Sequence, residues 1–168
     1  MKKQQGLNLI EVLIAAFLIS LGLLGMAGLQ VKSLRSTHNS YQMQQASQLA
    51  HELLERMRAN RKAVLAGNYT IAADAASYCV NPLATSCQAN TCDSTQMAAD
   101  DMHRVLCGYG GSGGIKGELL NGQLTIECPD ASGDCAQGVR LTLQWSERNT
   151  NKDEADLEPF NLVLNTVL

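Results

Sequence analysis

The sequence predicts an α+β fold in which a long N-terminal helix, hydrophobic in its first half and amphipathic in its second, packs on a small antiparallel β-sheet head. Three observations predict it. The run "LNLIEVLIAAFLISLGLLGMAGL", Leu7–Leu29, carries a single charged residue, Glu11. The stretch behind it keeps the helical spacing of apolar residues and contains no proline up to Gly67. The C-terminal part then alternates apolar and polar residues in short runs, the pattern of half-buried strands, and all six cysteines lie beyond Gly67.

Length and charge bound the function. A chain of 168 residues suits one small domain plus an anchor, and the apolar content is concentrated at the N-terminus. The formal net charge is −3 and no basic run follows the apolar segment, which argues against nucleic acid as a partner. Lys2 and Lys3 precede the apolar run, so the short tail is expected in the cytoplasm and the head on the far side of the membrane.

At a rise of about 1.5 Å per residue, Leu7–Leu29 reaches about 34 Å, enough to cross a bilayer core. A cleaved secretory signal fits poorly: the leader "MKKQQG" is very short, Glu11 interrupts the apolar region and no small-x-small site follows. A carboxylate inside such a helix costs about 2.5–3.5 kcal/mol at mid-membrane. Glu11 therefore rests near the headgroups or has a cationic partner on another helix, and the span alone leaves both open. Gly22, Gly25 and Gly28 recur every third residue. They suit either close helix packing or a local weak point in the helix.

Downstream, Ala46, Leu49, Ala50, Leu53, Met57 and Val64 are spaced as one helical face requires. Gly67 followed by Asn68 reads as a C-cap, so the spacing predicts one helix from about Leu7 to about Ala66. The organisation is a leader over 1–6, a membrane-spanning half over 7–29, an amphipathic half over 30–66 and a disulfide-containing head over 67–168. Within the head, Asp93 is placed to cap a helix running to about Leu106, with Gln96 completing a capping box and Ala98, Met102, Val105 and Leu106 on one face. Strands follow at Leu124 and Ile126, at Val139, Leu141, Leu143 and Trp145, and at Phe160, Leu162 and Leu164.

Cys79, Cys87, Cys92, Cys107, Cys128 and Cys135 are even in number and lie on the exported side, which points to disulfides. No Cys-x-x-Cys pair occurs and no histidine sits at finger spacing, which argues against zinc. Cys128 and Cys135 bracket the turn-rich "PDASGD", but connectivity stays open among the pairings six cysteines allow. No catalytic constellation, metal site or cofactor site is expected. The loop "CGYGGSGGIK" lacks the Gly-Lys-Ser/Thr ending of a P-loop, so Lys116 is no nucleotide ligand. His38, His51 and His103 are scattered, and the acidic loop with Asp153, Glu154, Asp156 and Glu158 departs from calcium-loop spacing.

Gly6, then Glu11 at the fifth position beyond it, at the head of a long hydrophobic helix, resembles the type IV pilins and pseudopilins. Together with "ERMRANRKAVLAGNY", Glu55–Tyr69, and the later "CGYGGSGG" and "VRLTLQW", the chain is similar to the PilV family of minor pilins, known as type IV pilus modification proteins. The resemblance implies cleavage after Gly6 by a prepilin peptidase and methylation of the new N-terminal residue, Leu7. Leu7 and Asn8 replace the usual Phe and Thr. It assigns Glu11 to attracting the N-terminal amine of a neighbouring subunit. It implies a structural, non-enzymatic role in starting pilus assembly and in the pilus tip complex, with other minor pilins, the major pilin and a tip adhesin as partners. The chain would sit in the inner membrane, with its head in the periplasm, before joining the pilus. The alternative is a pseudopilin of a type II secretion system; "RMRANR" favours the minor pilin.

Overall fold

The computed structural model describes residues 9–83, 86–129, 135–148 and 157–167. Its elements are α1 (Leu9–Ala59), α2 (Arg61–Leu65), β1 (Ile71–Asp74), α3 (Ala75–Tyr78), α4 (Ser94–Cys107), α5 (Gly114–Glu118), β2 (Gln123–Glu127), a 3-10 turn (Cys135–Gln137), β3 (Val139–Arg148) and β4 (Leu157–Thr166). The chain divides into two compact units, 1–41 and 42–168.

The first unit contains the N-terminal part of α1. Its side chains are exposed wherever described, the apolar ones included: Leu9, Leu24 and Leu29 are each at least 70 % exposed. The most apolar window of α1 has a mean hydropathy of 2.5 and nothing buried, as a helix made for lipid or for other helices would show. No proline interrupts it, and Ser20, Thr37 and Ser40 turn their hydroxyls back onto the carbonyls of Ala16, Ser33 and Ser36. Such back-bonding satisfies the hydroxyl without breaking the helix.

In the second unit, the α1 stripe Ala46, Ala50, Leu53 and Met57 enters the core together with Leu54, and Leu49 packs against its edge. Each fully buried Leu or Met contributes about 1.5–3 kcal/mol. The helix does not continue to Ala66 as the spacing predicted. It breaks at Asn60, whose backbone leaves the helical region at φ −114°, ψ 46°. The Asn60 side chain donates to the Ser94 carbonyl at 2.7 Å and to Tyr69 Oη at 3.3 Å. These bonds anchor the Asn60 side chain to Ser94 and Tyr69, while its backbone N–H still reaches the Arg56 and Met57 carbonyls. The break lets α2 bury Ala63 and Val64 as a separate turn. The Gly67–Asn68 end is as expected: Gly67 adopts φ +72°, its N–H reaches the Val64 carbonyl and that of Asn68 the Ala63 carbonyl, a Schellman closure.

The four strands form an antiparallel meander in the order β1-β2-β3-β4. Leu124 faces Leu143, Ile126 faces Leu141, and Trp145 faces Phe160 with the rings stacked at 6.1 Å. The alternation is that of the sequence: Leu124, Ile126, Val139, Leu141, Leu143 and Trp145 are all buried on one face. β1 was not anticipated, because "IAAD" is too short and too alanine-rich to show a period. Helix α4 lies where expected, with the Asp93 side chain accepting from the Thr95 and Gln96 backbone N–H groups and Gln96 Oε1 accepting from the Asp93 backbone N–H. Ala98, Met102, Val105 and Leu106 are its buried face.

Candidate functional site

Two places carry the chemistry a binding or assembly protein needs: the acidic residue on the apolar helix, and a buried polar junction in the head. Glu11 lies in the first turns of α1 with Ile10, Val12, Leu13 and Ile14 exposed around it. Among the described residues, Glu11 therefore stands as a lone carboxylate on an uncovered apolar surface. In lipid or against other helices that charge favours whichever arrangement brings a cation to it. Gly6 and Leu7 lie outside the described residues. A Cβ at Gly22, Gly25 or Gly28 would meet nothing within 4 Å, so no contact among the described residues requires glycine there.

The junction is assembled from elements distant in sequence. Arg56, near the end of α1, donates through Nη1 to Asp101 Oδ1 at 3.1 Å and through Nη2 to Glu52 at 2.7 Å. Tyr69 donates its hydroxyl to the other Asp101 oxygen at 2.7 Å, and Asn60 reaches the same hydroxyl. Asp101 and Tyr69 are 4 % and 1 % exposed. A buried carboxylate left alone would cost several kcal/mol, and these two donors offset that cost. Burial first, and the Asp101 bond second, push the Tyr69 phenol above its ordinary value. Asn60, Tyr69 and Arg56 all belong to the "ERMRANRKAVLAGNY" segment, so that segment is what fastens the end of α1 to α4.

A second pair stands beside the first. Asp100, also buried, accepts from Arg104 Nε at 2.6 Å and from the Cys87 backbone N–H at 3.2 Å. The Arg104 guanidinium lies 5.2 Å from the centre of the Tyr109 ring, and Arg104 and Arg56 both donate to the Tyr109 oxygen at 3.4 Å. These two arginines, Arg104 foremost, hold the exposed Tyr109 phenol below its usual value. Tyr109 is presented by a tight glycine turn rather than a phosphate loop. At Gly108, φ is +73° and a Cβ would stand 1.9 Å from the Ser112 carbonyl oxygen. A cleft of about 430 Å³ opens beside this turn, bordered by Val80, Pro82, His103 and Tyr109.

The six cysteines pair as Cys79–Cys107, Cys87–Cys92 and Cys128–Cys135. The first ties the end of α3 to the end of α4, and the third joins the end of β2 to the 3-10 turn. Among the described residues no group of three or more metal-type side chains converges. His51 bonds to Ser47 and His103 lies against Tyr78. Asp153, Glu154 and Asp156 lie outside the described residues, and Glu158 stands opposite Glu147 across β3 and β4. The junction was missed in the sequence, although one signal was present: Asp101 falls three residues after Ala98 and four before Val105, a carboxylate inside the apolar stripe of α4.

In a comparison with known families, the family described as "Tt1218-like: Type IV pilin Tt1218" matches residues 28–103, rather less than half of the chain. The matched stretch runs from the glycine-bearing part of α1 through most of α4 and contains Arg56, Asn60, Tyr69 and Asp101. No curated protein and no solved structure matches the chain.

Proposed function

We propose that this chain is a type IV pilin, and more narrowly a minor pilin of the PilV kind that takes part in starting pilus assembly and in the pilus tip complex. The observation that carries the reading is the Glu11 carboxylate, alone among the described residues around it, near the start of a helix whose first half exposes its apolar side chains and whose chain continues into a disulfide-bonded α+β head. The match of residues 28–103 to a type IV pilin family supports the coarser statement. The finer one rests on "ERMRANRKAVLAGNY" and on the Gly6 to Glu11 spacing.

In this reading a prepilin peptidase cuts after Gly6, Leu7 becomes the methylated N-terminal residue, and Lys2 and Lys3 are lost with the leader. The chain waits in the inner membrane with its head in the periplasm. Glu11 then draws the N-terminal amine of a neighbouring subunit alongside, because each charge relieves the other's desolvation only when paired. The exposed apolar half of α1 leaves lipid for a bundle of like helices, while the Arg56–Asp101–Tyr69 junction keeps the head fixed on its own stretch of helix. Other minor pilins, the major pilin and a tip adhesin are the partners.

The test is to purify the full chain from membranes after crosslinking and to measure the mass of its N-terminal peptide. A methylated chain beginning at Leu7, recovered with pilus subunits, supports the proposal. A chain that retains Met1–Gly6 overturns the processing assignment. Recovery with components of a secretion machine instead of pilus subunits would turn the reading to a type II pseudopilin.

A further inference from the structure

The Cys87–Cys92 bridge differs from its two companions in what surrounds it. Cys79–Cys107 and Cys128–Cys135 each hold one cysteine in the core, Cys107 at 1 % and Cys135 at 5 % exposure. Neither Cys87 nor Cys92 is buried, and Gln88, Ala89, Asn90 and Thr91 between them are all exposed. The bridge also spans a sequence separation of 5, against 7 and 28 for the others. The constraint a cross-link places on the unfolded chain grows with loop length, so this bridge adds least to global stability.

It is nevertheless wired to the interior. The Cys87 N–H is one of the donors that satisfy buried Asp100, whose second oxygen holds Arg104, which in turn lies against Tyr109. Cys92 directly precedes Asp93, the N-cap of the fourteen-residue α4.

We propose that Cys87–Cys92 is a thiol–disulfide exchange site, opened by a dithiol while the other two bridges persist, and that its state sets how firmly the loop before α4 holds Asp100 and Arg104. A thiolate of the dithiol attacks Cys87 Sγ, the Cys87–Cys92 bond breaks, and the electron pair leaves on Cys92 Sγ, which takes up a proton. The leaving thiolate forms beside the start of α4, where the helix dipole favours negative charge. The second thiol of the reagent then attacks its own sulfur in the mixed disulfide, releasing Cys87 as a thiol and the reagent as a cyclic disulfide. Two electrons and two protons pass from dithiol to protein.

The experiment titrates the full chain in detergent with dithiothreitol, blocks free thiols with N-ethylmaleimide and locates the label by peptide mass spectrometry. Trp145, the single tryptophan and 1 % exposed, reports the fold of the head through its emission. The expected result is labelling of Cys87 and Cys92 together at a reagent concentration at least tenfold below that which opens either other bridge, with Trp145 emission unchanged. Opening of another bridge at the same or lower concentration, or a shift of Trp145 emission with the first reduction, would overturn the exchange site. A Cys87→Ser, Cys92→Ser double variant tests the coupling by amide hydrogen exchange. Faster exchange over 86–93 and the first turns of α4, with β2 and β3 unchanged, is expected. Exchange unchanged in α4, or raised equally in β2 and β3, would overturn it.

Discussion

The hydroxyl of Tyr69 donates a 2.7 Å hydrogen bond to Asp101 Oδ2, joining the segment after α2 to the buried face of α4 across 32 positions of sequence. Arg56 occupies the other oxygen of the same carboxylate from α1. One acidic side chain thus collects two elements that share no local sequence signal.

Removing the hydroxyl by Tyr69→Phe should leave Asp101 buried with Arg56 alone and cost about 1–3 kcal/mol of head stability. Denaturant unfolding followed by Trp145 emission measures it, and a cost below a few tenths would show that the bond adds nothing. The variant should also change the alkaline limb. Tyr69 titrates above its unfolded value of 10.0, so its contribution is complete below that pH and is lost as pH rises through the higher folded value. Wild type should therefore lose stability above about pH 10 more steeply than Tyr69→Phe.

At Gly108 the positive φ and the 1.9 Å approach of the Ser112 carbonyl to a built Cβ leave no room for a side chain. Gly108→Ala should destabilise the turn by about 1–3 kcal/mol or more and displace Tyr109 from Arg104. Gly117→Ala is the control: it sits in α5 with nothing within 4 Å, and alanine there should be neutral or stabilising by up to about 1 kcal/mol. Thermal melts of the two variants should separate clearly; equal melting points would contradict the turn geometry.

Asp93 satisfies two amides at the start of α4. Asp93→Ala should cost about 1 kcal/mol, while Asp93→Ser, which keeps a capping oxygen, should recover most of it. Urea midpoints at constant slope provide the measurement. An alanine variant as stable as the serine variant would mean that Gln96 and neighbouring groups carry the helix start without the cap.

Glu11→Gln removes a charge from an apolar, uncovered helix surface. If the chain is the pilin proposed above, the variant should insert and be processed normally, since an amide enters lipid more easily than a carboxylate, yet recover several-fold less of its partner subunits after crosslinking. Full partner recovery together with normal piliation would remove the docking role from Glu11 while leaving the head untouched.

The features legible in the sequence were those written in near neighbours. Charge sparsity from Leu7 to Leu29 gave the apolar helix, the i, i+3, i+4 spacing gave its buried stripe, Asp93 and Gln96 gave the start of α4, and period-two alternation gave β2, β3 and β4. Each of these signals is complete within a few residues, because helix and strand periodicity are local properties of the backbone. The cysteines gave their pairing as disulfides but not their partners, since six equivalent sulfurs carry no address.

Tertiary structure alone decided the rest. The break at Asn60 falls where its side-chain amide donates to both the Ser94 carbonyl and Tyr69 Oη, groups 34 and 9 residues away. β1 exists because β2 offers it a ladder, Ile71 opposite Ile126 and Asp74 opposite Gln123, where its own sequence has no period to show. Asp101 tolerates burial because Arg56 and Tyr69 arrive from sequence separations of 45 and 32. In each case the free energy of a residue is set by a group that the chain brings near only by folding, and a buried charge or amide is stable only after that partner has arrived.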